Sequence, residues 1–379
     1  MKSFIVVGGG ILGASTAYHL VKEGASVTLI DRNDKGQATE AAAGIVCPWL
    51  SQRRNKKWYR LVKGGAKFYP SFIEELQSYG ATDTGYERVG VLCLHTDEEK
   101  LQKIEERAYT RRKDAPEIGE ITRLSADETK ALFPALADEY QSIHVTGAAR
   151  VNGGALRDSL VKVAQQFGAT YIQGSAGLLY DGTHVTGVEV NGKQMEADAV
   201  IVTAGAWSKE ILLPLGIEFL VTPQRAQIVH LDRPEKDSDH WPVVMPPNNQ
   251  YLLTFRGGRV VVGATHEDGV GFDYRVTAGG LHEVIHKALT VAPGLENCTH
   301  VETKVGFRPY TPGFLPVFGP LPGFTGIYVG NGLGATGLTA GPYLGSELAK
   351  LVLGQPTELD PNEYHVGEAI AAKDETEES

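Results

Sequence analysis

Apolar positions in the first thirty-one residues follow two alternating periods. Ser3 to Val7 is a short apolar run rich in β-branched residues and reads as a strand. Ala14 to Gly24 reads as a helix, with Leu12, Ala17, Leu20 and Val21 along one face. Ser26 to Ile30 is a second strand, and it ends in Asp31. The hydrophobic pattern therefore predicts strand, turn, helix, strand. Between the first strand and the helix stands Gly8-Gly9-Gly10-Ile11-Leu12-Gly13, whose glycines at 8, 10 and 13 match G-x-G-x-x-G. The first glycine permits a tight turn, the second lets the backbone approach a pyrophosphate, and the third lets helix and strand pack closely. The helix N-terminus offers free N–H groups to phosphates. Asp31 falls eighteen residues beyond Gly13, where an acceptor for ribose hydroxyls is expected. The context predicts a dinucleotide site. The bland alternative is a tight turn in an unliganded α/β domain.

Further along, Gln37 to Ile45 contains the small residues Ala41 to Gly44, which would let the start of a helix lie flat against a ligand. An Ala-rich helix without a ligand is the competing reading. Trp58, Leu61, Val62, Tyr69, Phe72, Ile73 and Leu76 recur at helical spacing, which makes the basic residues from Arg53 to Arg60 a solvated helix face. Arg88 to Leu94 reads as a strand and Asp97 to Arg112 as an exposed, charge-laced helix. Ser125 to Glu128 is a capping box opening a short helix that Pro134 ends. A helix is predicted over Gly154 to Phe167, with strands at Ala169 to Ile172, Val185 to Val190 and Glu196 to Thr203.

From Ile217 to Gly263 the texture changes to short strands: Ala226 to Leu231, Tyr251 to Phe255 and Val260 to Gly263. Arg256-Gly257-Gly258-Arg259 forms a hairpin turn between the last two. This is antiparallel sheet rather than a second βαβ unit.

Gly332-Leu333-Gly334-Ala335-Thr336-Gly337 repeats G-x-G-x-x-G, between a strand (Gly326 to Val329) and a helix (Leu338 to Leu353). No apolar strand follows to complete a βαβ unit, so this helix N-terminus is expected to face the same cofactor from the other side. Gln355 to Ser379 is rich in acids and is expected to be a mobile tail.

Composition narrows the picture. The chain has 379 residues and a formal net charge of −10, which argues against nucleic acid as a partner. Three cysteines, Cys47, Cys93 and Cys298, show neither disulfide nor metal spacing and point to a reducing compartment, hence a cytoplasmic location. No metal site is expected. No stretch approaches the ~20 apolar residues that span a bilayer. The apolar N-terminal run is too short for a signal peptide and is accounted for by the strand. One dinucleotide fold without a second has a chemical consequence. If the cofactor is a flavin, its electrons come directly from an organic substrate and not from a nicotinamide.

The chain resembles the FAD-dependent D-amino acid oxidase/dehydrogenase superfamily, in its glycine oxidase, sarcosine oxidase and D-amino acid dehydrogenase branch. The resemblance runs over roughly residues 2–355. It rests on the glycine turn with Asp31, on Thr39 to Ile45 and on Thr203-Ala204-Gly205-Ala206-Trp207-Ser208. Gly306-Phe307-Arg308-Pro309-Tyr310-Thr311-Pro312 and Gly330 to Gly337 complete the set.

The resemblance implies a Rossmann-like FAD-binding domain (1–85, 145–215 and 300–355) with an interleaved antiparallel β-rich substrate domain (86–144 and 216–299), followed by the acidic tail (356–379). It also implies roles residue by residue. Gly8, Gly10, Ile11, Leu12 and Gly13 would meet the FAD pyrophosphate, and Asp31 with Arg32 the adenosine ribose. Thr39, Ala42, Ala43, Gly44 and Ile45 would pass near the pyrophosphate and flavin. Gly177 is the weaker match to a residue whose backbone meets the adenine. Thr203, Gly205 and Trp207 belong to the turn beside it. Gly334, Ala335, Thr336, Gly337, Leu338 and Thr339 would place a helix N-terminus at the flavin, where its dipole stabilises negative charge.

Arg308 would grip a substrate carboxylate, helped by Tyr251. The alternatives are a structural ion pair for Arg308 and a half-buried strand aromatic for Tyr251. His266 could sit near the flavin or be structural. The implied reaction is oxidative deamination of a small amino acid, a D-amino acid or glycine, with dioxygen or an unidentified acceptor taking the electrons. Rivals are an N-methyl amino acid oxidase and a flavin-binding subunit of a hetero-complex. A homo-oligomer is possible on the same scaffold. Gly306 stands where sarcosine oxidases carry a flavin-tethering cysteine, so FAD is expected to be non-covalent. The loop Gly332 to Gly337 lacks the arginine of glycine oxidases, which fits D-amino acid dehydrogenases better.

Overall fold

Residues 1–372 are described in a computed structural model. Ser3–Val7 lies inside a six-stranded sheet ordered Val317–Pro320, Ile327–Asn331, Ala199–Val202, Ser3–Val7, Ser26–Asp31, Thr170–Gln173. All pairs are parallel except the one made by the Val317–Pro320 edge. Helices Ile11–Lys22, Gly153–Gln166 and Gly337–Leu353 pack together beside this sheet. Gly341 and Gly345 let two of them close up, and the Ser15 hydroxyl donates to the Pro342 carbonyl at 2.7 Å. Ile5, Val7, Val200 and Val202 pack with Val185, Val188 and Val190 of a three-stranded antiparallel sheet, Ala176–Asp181, His184–Val190 and Lys193–Glu196. Strands covered on both sides explain the near-continuous apolar runs.

A second, eight-stranded sheet has the order Thr299–Tyr310, Thr222–Asp232, Arg259–Gly263, Tyr251–Phe255, Val243–Met245, Val91–His95, Gln141–Val145, Ile121–Leu124. Its pairs are antiparallel apart from Val243–Met245 against Val91–His95. One set of its side chains packs on helix Ala278–Val291 through Val229, Leu231, Val260, Val262 and Val284. The alternate set, including Ala226, Ile228, Leu253 and Val261, joins the main core.

Three expected elements differ from the structure. The first helix begins at Ile11, three residues early, because the third glycine already lies in its first turn. Ala38–Ala41 is a short helix, and Ala42 to Gly44 leaves it in extended and left-handed backbone, so the small residues end a helix instead of starting one. Thr299–Tyr310 pairs along its length with Thr222–Asp232, so residues 300–310 carry the edge of the larger sheet, not the nucleotide-binding sheet.

The segment after the last helix folds back. The buried Glu347 carboxylate accepts the N–H groups of Glu358 (2.6 Å) and Leu359 (2.9 Å), and Leu359, Tyr364, Val366 and Ala369 are buried. The expected mobile tail is thus wrong up to residue 372, and residues 373–379 lie outside the described residues. No helix among the described residues is long and apolar enough to cross a membrane, and no group of three His, Cys, Asp or Glu side chains is placed to hold a metal.

Candidate active site

The glycine turn is held from three sides. Gly8 has φ of +105°, and a Cβ there would lie 2.6 Å from the Ala204 backbone, so only glycine fits. The Thr203 hydroxyl donates to the Gly8 carbonyl at 2.8 Å. Asp31 accepts the Gly9 N–H, the Asn33 N–H at 2.6 Å and the Gln37 side-chain amide at 2.8 Å, which fixes an acid at the end of the second strand. The Ile11 N–H is taken by the Thr39 hydroxyl at 2.9 Å. Among the described residues the N–H groups of Leu12 and Gly13 have no acceptor.

One continuous cavity runs past this turn. Gly8, Gly10, Ile11, Leu12, Asp31, Arg32, Thr39, Ala42, Ala43, Gly44, Ile45, Thr203, Gly205 and Trp207 line it. So do Gly334 to Thr339, Tyr251 and Arg308. Gly13 and Gly177 do not. Gly13 is wedged behind the turn, where a Cβ would strike the Gly8 carbonyl. Gly174, Ser175 and Ala176 line it instead of Gly177, which is exposed on the alternate face of the strand Ala176–Asp181. The second glycine motif faces this same cavity. Its helix start is held by the Thr339 hydroxyl on the Ile45 carbonyl (2.9 Å) and by the Tyr69 hydroxyl on the Leu338 carbonyl. Asn331 donates to the Gly205 carbonyl at 2.9 Å and ties this motif to the Thr203–Ser208 turn.

Strand register brings the polar end together. Arg308 lies directly opposite Gln224 and donates to its side-chain oxygen at 3.2 Å. Arg308 is 9 % exposed, and no carboxylate of the described residues pairs with its guanidinium. Nearby cations are treated differently. Buried Arg225 is paired with Glu267 and, at 2.7 Å, with Asp273, and buried Arg150 with Glu87 at 2.7 Å. Tyr251 lines the cavity on the neighbouring hairpin. Burial pushes its phenol up, opposed by the Arg308 charge, so it stays a protonated donor. His266 lines the cavity too. Burial and then the Arg308 charge hold its imidazole below the ordinary range, so it is neutral at pH 7. Gln224, Asn249 and Met245 complete this end and carry no sequence signal: each is one residue in a strand or loop without a motif.

The family model described as "FAD dependent oxidoreductase" (DAO) matches residues 3–351. The chain belongs to the DAO family of FAD-dependent oxidoreductases. It is 63% identical over 372 residues to an uncharacterized oxidoreductase of Bacillus subtilis, covering 98% of this chain and all of the relative. It is 30% identical over 365 residues to a glycine oxidase of Pseudomonas aeruginosa, covering 95% and 97% of the two chains. Among solved structures, iminodiacetate oxidase from Chelativorans sp. BNC1 superposes with a TM-score of 0.93 at 47% identity, over 96% of this chain and 98% of that one.

FAD fits the DAO cavity seen here. An unsatisfied N–H at Leu12 suits a pyrophosphate, a fixed acid at Asp31 suits a ribose, and the Gly337–Leu353 helix opens on the far wall. Gly8, Gly10, Leu12 and Asp31 would hold the nucleotide half, and Ala42 to Ile45 with Gly334 to Thr339 the flavin half.

Proposed function

We propose that this enzyme oxidises a small amino acid at its α-carbon. The observation that carries the reading is Arg308: a buried guanidinium in the FAD cavity with an amide partner and no carboxylate. A buried cation without a counter-ion is costly, and an incoming carboxylate supplies one in bidentate geometry. Tyr251 adds a hydroxyl donor to the same carboxylate, and neutral His266 leaves the amine end free of added charge.

Bound FAD supplies the two-electron acceptor. With the carboxylate fixed, the neutral amine loses hydride from the α-carbon and an imino acid results. Water hydrolyses it to a 2-oxo acid and an amine, which is ammonia for a primary amino acid. No side-chain base is needed, since the C–H electron pair leaves as hydride. Dioxygen or another acceptor then takes the electrons, and the location is cytoplasmic on this reading.

A second reading, oxidation of an N-substituted glycine, is favoured by the 47% identity to an iminodiacetate oxidase. Anaerobic bleaching of the yellow protein against glycine, D-amino acids, sarcosine, iminodiacetate and L-proline separates the two. Bleaching by none of them contradicts both.

A further inference from the structure

A second hollow lies among Gln52, Arg53, Arg54, Lys56, Tyr59, Arg107 and Arg111. The basic residues were expected to be a solvated helix face. Arg54, Lys56, Lys57 and Arg60 are exposed as expected, and Arg53, Arg54 and Lys56 also meet Arg107 and Arg111 from helix Glu98–Arg112. Five cations share one hollow in a chain of net charge −10, and none of the five pairs with a carboxylate among the described residues. The Tyr59 hydroxyl is buried there without a hydrogen-bond partner. The arginines are positioned by carbonyls: Arg111 donates to Trp49 at 2.6 Å, Arg107 to Leu50 at 3.2 Å and Arg53 to Phe314 at 2.6 Å. Arg53 also stacks on Trp58 at 4.8 Å, and Arg111 on Tyr59 at 4.4 Å. Burial lowers the proton affinity of Arg53 and Arg111, with Tyr59, Cys47 and Asp114 acting the other way at Arg111.

The hollow shares a wall with the FAD cavity. Cys47, Pro48, Ser51 and Trp58 line the cavity, while Gln52, Arg53, Arg54, Lys56 and Tyr59 line the hollow. Clustered like charges raise the local concentration of anions and their rate of arrival over a distance of about a Debye length. A zwitterionic amino acid gains little from such a field. An amino acid with a second carboxylate gains from it fully.

We propose that this hollow is a docking site for the free carboxylate of an aminodicarboxylate on its way to Arg308, so that the preferred substrates carry net negative charge. The inference rests on the amino acid oxidation proposed above and names the substrate class for it. Iminodiacetate and sarcosine form a matched pair, since both are N-substituted glycines and differ by one carboxylate.

With the FAD-loaded full chain, Arg54→Glu/Lys56→Glu is expected to lower kcat/KM for iminodiacetate about tenfold or more and that for sarcosine less than twofold. Added salt is expected to lower the iminodiacetate value steeply and leave the sarcosine value nearly flat. Equal losses for both substrates, or no loss for either, overturn the proposal. If neither amine reduces the flavin, the proposed activity fails separately. Calorimetry with inorganic phosphate then judges the hollow. Saturable binding that the double substitution abolishes supports the anion site, and absence of saturable binding to the parent protein overturns it.

Discussion

Arg308 and Gln224 sit opposite each other on paired strands, and the guanidinium donates to the amide oxygen at 3.2 Å. Gln224 in turn donates to Asp268 at 2.8 Å, so the amide is fixed with its oxygen toward the arginine. Gln224→Ala should therefore leave FAD bound and raise KM about three- to tenfold, the value of one ordinary hydrogen bond, since only the aim of the guanidinium is lost. Steady-state kinetics with the best substrate checks this. An unchanged KM would mean that Arg308 is aimed by its strand alone.

Gly44 lines the cavity and shapes its wall. Its φ is +87°, and a Cβ there would collide with the Val151 carbonyl, while its own carbonyl accepts the Val151 N–H at 2.8 Å. Gly44→Ala is expected to destabilise the fold by about 2–3 kcal/mol or more and to weaken FAD retention. Thermal unfolding and the flavin-to-protein absorbance ratio report the two effects.

FAD is expected to be non-covalent. Gly306 faces the Ala41 methyl, and a Cβ at 306 would lie 2.7 Å from it, so the position is filled without a thiol. Cys47 does line the cavity, but burial pushes its thiol up to about 12, which keeps it protonated and unreactive. Acid precipitation should leave all yellow colour in the supernatant. Flavin mass on a peptide in the pellet would contradict this.

His230 gives stability a pH dependence. Burial first, and then Lys304, lower its imidazole to about 4 in the folded chain. Its value in the unfolded chain is about 6.5. Between these values only the unfolded chain binds the proton, so stability falls as pH is lowered, by about 1.4 kcal/mol per pH unit. His230→Gln should flatten urea-unfolding stability between pH 7 and 5 by roughly 2 kcal/mol relative to the parent. Parallel curves for the two proteins would contradict the assignment.

The legible parts of this chain are local ones. The glycine turn, the Asp31 strand end, the capping box at Ser125 and the apolar stripe from Trp58 to Leu76 each lie within one or two neighbouring elements. What escaped the sequence depends on distant pairing. Thr299 to Glu302 is mostly polar and exposed, and its partner strand lies some seventy residues upstream. The fold-back after Gly354 depends on one buried acid, Glu347, that looks like any helix glutamate. Gln224 is invisible for the same reason, since its importance arises only from standing opposite Arg308.

The central claim is that the buried Arg308 awaits a substrate carboxylate. The direct measurement compares kcat/KM, FAD content and melting temperature for the parent, Arg308→Ala and Arg308→Lys. The alanine protein should keep its FAD and nearly its melting temperature, while efficiency falls by about two orders of magnitude or more. Lysine should recover little, because it keeps the charge but not the planar fork. An alanine protein as active as the parent, or one that is unfolded and colourless, would contradict the account.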